Sequence, residues 1–185
     1  DLSNDEKKVI KGLHLLTIKP MLYVANVSED EVADPSENKY VKMVQEYAAS
    51  EGAQVIVVCA KIEEEISELE DEEKKEFLAE LGIAESGLDQ LIKASYSLLG
   101  LATYFTAGVQ EVRAWTFRKG MKAPQCAGII HSDCERGFIR AETVAFDDLV
   151  EYGSKSAAKE AGRVRSEGKE YIVQDGDVME FLFNV

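Results

Sequence analysis

The sequence predicts an α/β protein in two parts, a parallel strand–helix–strand region in residues 1–99 and a β-rich module in residues 100–185. Three observations predict it. Two runs, Met21-Leu22-Tyr23-Val24-Ala25-Asn26 and Gln54-Val55-Ile56-Val57-Val58-Cys59-Ala60, are apolar almost throughout, as strands buried on both faces are. The segment between them has helical periodicity, and strand–helix–strand at this spacing forms a right-handed crossover in a parallel sheet. After Gly100 the apolar period shortens to that of strands.

The elements follow in order. In residues 5–16 the apolar positions Val9, Ile10, Leu13 and Leu16 fall on one helical face, with Ser3 and Glu6 spaced as a capping box. Lys19-Pro20 is expected to end that helix. The strand over 21–26 comes next, then an amphipathic helix over 36–50 closed by Gly52, then the strand over 54–60. Residues 62–80 are strongly acidic, with Ile62, Ile66, Leu69, Phe77 and Leu81 as a thin apolar stripe, and read as a solvated helical surface. A helix over 86–99 carries Leu88, Leu91, Ile92, Tyr96 and Leu99, with Ser86 as its cap. Beyond Gly100, strands over 102–107 and 111–117 flank Gly108 as a hairpin. A helix over 121–132 holds Pro124 in its first turn, a strand follows over 138–144, and a short helix carries Phe146, Leu149 and Tyr152. Strands over 171–174 and 178–185, joined by a turn at Asp175-Gly176-Asp177, complete the chain. Hairpin, helix, strand and paired C-terminal strands is a β-grasp order.

Composition narrows the function. The 185 residues carry a net charge of −14, which argues against a general nucleic-acid binder. That charge is uneven: residues 1–99 hold 10 Lys/Arg against 22 Asp/Glu, and residues 100–185 hold 11 against 13. No apolar run approaches the ~20 residues that span a bilayer, and the N-terminus lacks the pattern of a signal peptide. The absent initiator Met is expected of a fragment or a processed chain. Cys59, Cys126 and Cys134 have no disulfide or metal spacing, and His14 and His131 have no acidic or thiol cluster beside them. Free thiols indicate a reducing compartment, the cytoplasm. A thiol enzyme is poorly supported, because no Cys has a base or resolving thiol at motif spacing.

Candidate chemistry lies at the ends of the two apolar strands, where ligands bind in open parallel sheets. Asn26-Val27-Ser28-Glu29 can present an amide and a carboxylate to the edge of a purine. Cys59-Ala60-Lys61 lands on the same rim, with backbone amides for the base and a Lys stem to cover the ring. Either motif alone is more often a turn or cap. On consecutive strands they read together as the base-binding half of a nucleotide triphosphatase. In the second part, Arg113, Arg118, Lys119 and Lys122 alternate with Trp115 and Phe117, a pattern found on RNA-contacting faces and also on ordinary sheets with a buried Trp. His131, beside Ser132-Asp133 and Arg136, reads as structural. Arg163 and Arg165 read as solvated.

The stretches KPMLYVANVSEDE, EGAQVIVVCAKIEEEISELEDEEKKEFL and ESGLDQLIKASYSLLGLATYFTAG resemble the YchF-type proteins of the Obg family. So do EVRAWTFRKGMKAPQCAGIIHSDCERGFIRAETVAFDDLVEYGS and EGKEYIVQDGDVMEFLFNV, the most specific of the five. The resemblance covers essentially the whole chain. It implies the distal part of a parallel-sheet P-loop NTPase domain over 1–99, followed by a TGS domain of β-grasp fold over 100–185. It also implies ATP binding in preference to GTP. Ras-like relatives read guanine with Asn-Lys-x-Asp, and this family's variant is Asn-x-x-Glu, matched by Asn26 and Glu29. Adenine lacks the protons that the Asp would grip, so the change should weaken guanine's advantage. By the same resemblance Val27 packs on the ring, and Cys59, Ala60 and Lys61 fill the role of a Ser-Ala-Lys-like loop, with Cys in place of Ser.

Nothing in the chain matches G-x-x-x-x-G-K-[ST], so no Lys for the β/γ-phosphates and no Mg²⁺ ligand is identified. The resemblance implies that the full-length parent uses ATP with Mg²⁺ and associates with ribosomes or RNA through the TGS domain, with no DNA or membrane partner. The chain alone is expected not to hydrolyse ATP, and no catalytic residue or metal ligand is assigned. The competing reading is a non-enzymatic β-grasp module that binds protein or RNA without nucleotide.

Overall fold

A computed structural model describes residues 3–108 and 111–184. Val109 and Gln110, at the expected hairpin turn, and Val185, the expected end of the last strand, lie outside them. The chain divides into two compact units, Asp1–Leu98 and Leu99–Val185.

In the first unit, helix α1 (Asn4–Lys11) starts with the expected capping box: Glu6 N donates to Ser3 Oγ at 3.3 Å, and Ser3 N donates to the Glu6 carboxylate at 2.8 Å. The helix is shorter than its periodicity predicted. It stops at Gly12, His14 takes a left-handed φ of 50°, and a 3₁₀ turn occupies Leu16–Ile18. Glycine weakens a helix, and one left-handed residue ends it. Strands β1 (Leu22–Asn26) and β2 (Gln54–Val58) pair in parallel, Leu22 with Gln54 through Asn26 with Val58. Burial on both faces does not follow, because among the described residues each strand has one neighbour and Val24 stays 49 % exposed.

Helix α2 (Lys39–Glu51) joins the two strands. Asn38 Oδ1 accepts from the Tyr40 and Val41 amides to start it, and Gly52 ends it with a left-handed φ of 67°, the usual device at that position. The acidic stretch is helical with the expected stripe turned inward, but it is broken at its middle. It forms two helices, α3 (Ala60–Ser67) and α4 (Asp71–Glu80), folded so that the apolar stripe becomes a core. Cys59, Ile62, Ile66 and Leu78 are buried there, flanked by Leu69, Phe77, Leu81 and Ile83. Apart from half-buried Glu63, the carboxylates of these helices are exposed. Helix α5 (Gly87–Leu99) follows. Fully buried Ser86 caps it, accepting from Asp89 N at 3.1 Å and donating to the Asp89 carboxylate at 2.8 Å.

The second unit is built on a mixed five-stranded sheet. Its elements are β3 (Leu101–Ala107), β4 (Val112–Arg118), β5 (Phe138–Ala145), β6 (Arg165–Glu167) and β7 (Asp177–Phe183), in the spatial order β4-β3-β7-β5-β6. β3 and β4 form the antiparallel hairpin. β7 lies parallel to β3 and antiparallel to β5, and β6 covers β5's far edge.

Two expectations are corrected. Residues 171–174 are not a strand paired with the last one: Ile172 makes a single bridge to Lys122. β7 instead takes a central place, where both of its edges find longer partners. The helix expected over 121–132 is α6 (Ala123–Ile130), with Pro124 in its first turn; His131 is extended, and α7 (Ser132–Arg136) starts afresh. Helix α8 (Phe146–Tyr152) follows β5, and α9 (Lys155–Glu160) was not predicted.

Strand alternation gives the sheet two apolar faces. One packs Ala102, Tyr104, Phe117, Ala141 and Met179 against Ala123, Cys126 and Ala127 of α6. Tyr104 is fully buried at its centre; its hydroxyl donates to the Cys126 carbonyl at 2.8 Å, and its ring meets Phe117 and Phe181 at 5.7 and 5.8 Å. The other face packs Val144 and Val178 against Ala158, Leu149 and Tyr152.

Candidate functional site

The register of β1 and β2 places Asn26 beside Val58, so the two predicted motifs begin at one rim. Val27 N donates to the Val58 carbonyl at 2.9 Å, and the Val27 side chain is buried. Cys59 is buried as well and precedes α3 without a side-chain cap; Ala60 and Lys61 are the first turn of that helix. The expected loop at Cys59-Ala60-Lys61 is therefore a helix start. The chain turns directly from β2 into α3 because Ile62 and Ile66 close the small core.

Two contacts join the motifs across more than thirty residues of sequence. Asn26 Oδ1 accepts from Ala60 N at 2.9 Å, which leaves the Asn26 amide nitrogen free to donate outward. Lys61 Nζ lies 2.7 Å from the Glu29 carboxylate and 4.0 Å from Glu65. The hydrogen bond and charge of Glu29 raise the Lys61 pKa above its ordinary value. The rim thus offers an amide donor and an oriented carboxylate acceptor, side by side and open to solvent. A purine edge, with its alternating donors and acceptors, has the complementary chemistry.

Sequence reasoning missed two residues that shape this rim. Glu31 holds the intervening loop, accepting from Ser28 Oγ at 2.8 Å and Asn38 Nδ2 at 2.9 Å, and these bonds lower its pKa, the Ser28 bond foremost. Glu63, one turn into α3, accepts from Gly87 N at 2.7 Å and Leu88 N at 3.1 Å. Only tertiary contacts distinguish Glu63 from the many other glutamates, whereas Glu31 completes a local Ser-x-x-Glu spacing with Ser28 that the sequence reading passed over.

The basic set in the second unit is less convergent. Alternation along β4 puts Arg113 on the side of Trp115 and Phe117, and Arg118 on the opposite side. The Arg113 guanidinium lies over the Trp115 ring, 4.2 Å from its centroid, and 3.8 Å from Glu111. Trp115 donates to Thr106 Oγ1 at 2.9 Å. Lys122 pairs with Glu170 at 2.5 Å, while Arg118 and Lys119 are exposed. The four residues do not form one face.

His131 caps α7, accepting from Asp133 N at 3.2 Å through Nδ1, a structural role. Arg165 is corrected. It is not merely solvated, since its Nη2 reaches the buried Asp177 carboxylate at 3.2 Å, where Tyr171 donates at 2.6 Å and Gln174 N at 2.9 Å. A groove of about 790 Å³ lined by Ala107, Ile130, Cys134, Met179, Phe181 and Phe183 lies beside β3 and β7. None of the predicted site residues lines it. Among the described residues no helix is long and apolar enough to cross a membrane, and no cluster of His, Cys, Asp and Glu is placed to hold a metal.

Residues 101–184 match the family described as YchF-GTPase_C, a protein of unknown function. Over its full 185 residues the chain is 74 % identical to the ribosome-binding ATPase YchF of Bacillus subtilis and 56 % identical to that of Escherichia coli O157:H7. The chain spans 50 % of the length of each. Its fold is similar to the solved YchF GTPase of Schizosaccharomyces pombe, with a TM-score of 0.83 and 38 % identity over 98 % of this chain and 48 % of that one.

Proposed function

We propose that this chain, which belongs to the YchF family, forms the base-reading part and the TGS domain of a cytoplasmic, ribosome-associated nucleotide triphosphatase that prefers ATP to GTP. The observation that carries the proposal is the joining of the two strand-end motifs by Asn26–Ala60 and Glu29–Lys61. Asn26 offers its amide hydrogens to a purine ring nitrogen, and Glu29 offers an acceptor to the adenine 6-amino group. Guanine presents a carbonyl at that position, which a carboxylate repels. Cys59, Ala60 and Lys61 supply the backbone and the stem beside the base, and Val27 contributes from the packed layer beneath. Residues 1–99 are the distal half of the nucleotide domain in this reading. Phosphate binding, Mg²⁺ and hydrolysis belong to the full-length protein.

Residues 100–185 form the TGS domain, whose strand order and crossing helix agree with a β-grasp. Arg118 and Lys119, exposed beside the end of β4, are the leading proposed contacts to ribosomal RNA, with Arg113 at the other end of the strand and Lys122 beside Glu170 as separate ones. The test is ATP titration of the full-length protein and of Asn26→Ala. Loss of the Ala60 contact and the outward amide should weaken ATP binding about tenfold or more, the equivalent of ~1.4 kcal/mol. Unchanged affinity would contradict the base assignment. In parallel, Arg118→Glu with Lys119→Glu should reduce cosedimentation with ribosomes and leave ATP affinity as it was.

A further inference from the structure

Helix α3 starts without a cap from its own N-cap residue: the Cys59 side chain makes no hydrogen bond to the amides of the first turn. The helix is eight residues long, too short to hold its own position in water. The placement of Ala60 and Lys61 therefore has to come from outside the helix. On one side the source is the rim itself, through Asn26 and Glu29. On the other side it is Glu63, whose carboxylate spans to α5 and accepts from both Gly87 N and Leu88 N. These are amides that a helix start leaves without intrahelical partners, and a carboxylate also suits the positive end of the helix dipole.

The junction around this contact is close-packed. A Cβ on Gly87 would lie 2.6 Å from Val58 Cγ1 and 3.1 Å from Glu63 Oε1. β2, α3 and α5 thus meet with no room for a side chain, immediately behind the residues that lead to the rim.

We propose that Glu63 is a positioning residue for the base site. By tying α3 to the first turn of α5, it holds Ala60 and Lys61 where they meet Asn26 and Glu29. The inference rests on the base-binding reading above. Coupling of this kind is reciprocal. If the Glu63–α5 contact favours the binding geometry, a bound nucleotide must favour that contact in turn. ATP should then protect the Gly87 and Leu88 amides from hydrogen exchange, although neither amide touches the base.

The experiment combines ATP titration with hydrogen exchange at residues 86–89 in the full-length protein. It compares wild type, Glu63→Ala, Glu63→Gln and Ser86→Ala. In wild type, ATP slows exchange at Gly87 and Leu88. Glu63→Ala weakens ATP binding about tenfold and abolishes that response. Glu63→Gln, which keeps the length and one acceptor oxygen, falls between them and decides the matter if the alanine variant does not fold. Ser86→Ala removes the local cap of α5 and lowers thermal stability, but leaves the ATP affinity within about twofold of wild type.

Wild-type ATP binding with unchanged affinity in the folded Glu63 variants overturns this inference and leaves the base reading intact. Equal weakening by Ser86→Ala also overturns it, since the effect would then be loss of helix stability. Absence of ATP binding by wild type overturns the base reading, and this inference with it.

Discussion

The two units answer the same kind of apolar pattern in opposite ways. In the second, five strands and two helical layers close over Tyr104, Ala141, Cys126 and Ala127, all fully buried. In the first, two strands leave Val24 half exposed, and the helices leave Tyr40, Met43, Tyr47, Leu88 and Ile92 exposed as well. A buried apolar cluster forms around Ile62, Ile66 and Leu78. A two-stranded sheet has little area to bury against, so an amphipathic face there has less to cover it. Periodicity states which face of an element is apolar; it does not state what lies on that face.

The comparison predicts that the units differ in stability, and Trp115, the sole tryptophan, reports on the second one alone. Tyr104→Ala should have the largest effect. Removing a fully buried aromatic at the centre of the sheet costs about 3–5 kcal/mol, read as a drop in the denaturant midpoint of Trp115 fluorescence. A loss below about 1 kcal/mol would break the claim that this core holds the unit.

Gly87→Ala comes next. Its Cβ would press on Val58, and overpacking of this sort costs about 1–3 kcal/mol. The change should appear in the circular dichroism of the helices of the first unit while the Trp115 transition stays in place. Movement of both transitions together would show one cooperative unit instead of two. Ser86→Ala should cost about 1 kcal/mol, the ordinary value of a helix cap, again without moving Trp115.

The smallest effect concerns acid. Glu142 is held by Lys155 at 3.0 Å and Lys159 at 3.6 Å, and the Lys155 hydrogen bond foremost lowers its pKa below the ordinary carboxylate value. A carboxylate of this kind adds stability above its unfolded pKa, and the contribution is lost as pH falls through the folded one. Glu142→Gln should therefore lower the Trp115 midpoint at pH 7 by less than about 1 kcal/mol. The difference should shrink as pH falls from the unfolded value of about 4.3 through the lower folded one. A difference that does not shrink as pH falls would mean that packing, not charge, is lost.

Much of the fold was legible because its signals are local. The two apolar runs, the Gly52 stop, the Ser3 and Ser86 caps and the hairpin of β3 and β4 each follow from a few neighbouring residues. The misreadings involve long-range partners. The acidic stretch looked solvated because its stripe is thin, and only the fold back of α4 onto α3 makes that stripe a core. Residues 171–174 looked like a strand, but β7 gained better partners in β3 and β5. Arg165 looked free because buried Asp177 lies 12 residues away in sequence. The site divides in the same way. Asn26, Glu29, Ala60 and Lys61 stand at strand ends and can be found by position. Glu63 acts through contacts that no local pattern marks, while Glu31 sits in a local Ser-x-x-Glu spacing with Ser28.

The central claim is that Glu29, set by Lys61, reads adenine. Its most direct test is the ratio of ATP to GTP affinity in the full-length protein and in Glu29→Asp, a change that leaves buried Val27 alone. Shortening the side chain by one methylene withdraws the carboxylate from Lys61 and from the adenine amino group, toward the position suited to guanine. The account predicts tighter binding of ATP by wild type and a shift of the ratio toward GTP by about tenfold in the variant, near 1.4 kcal/mol. An unchanged ratio, or a wild type that binds GTP as well as ATP, would contradict it.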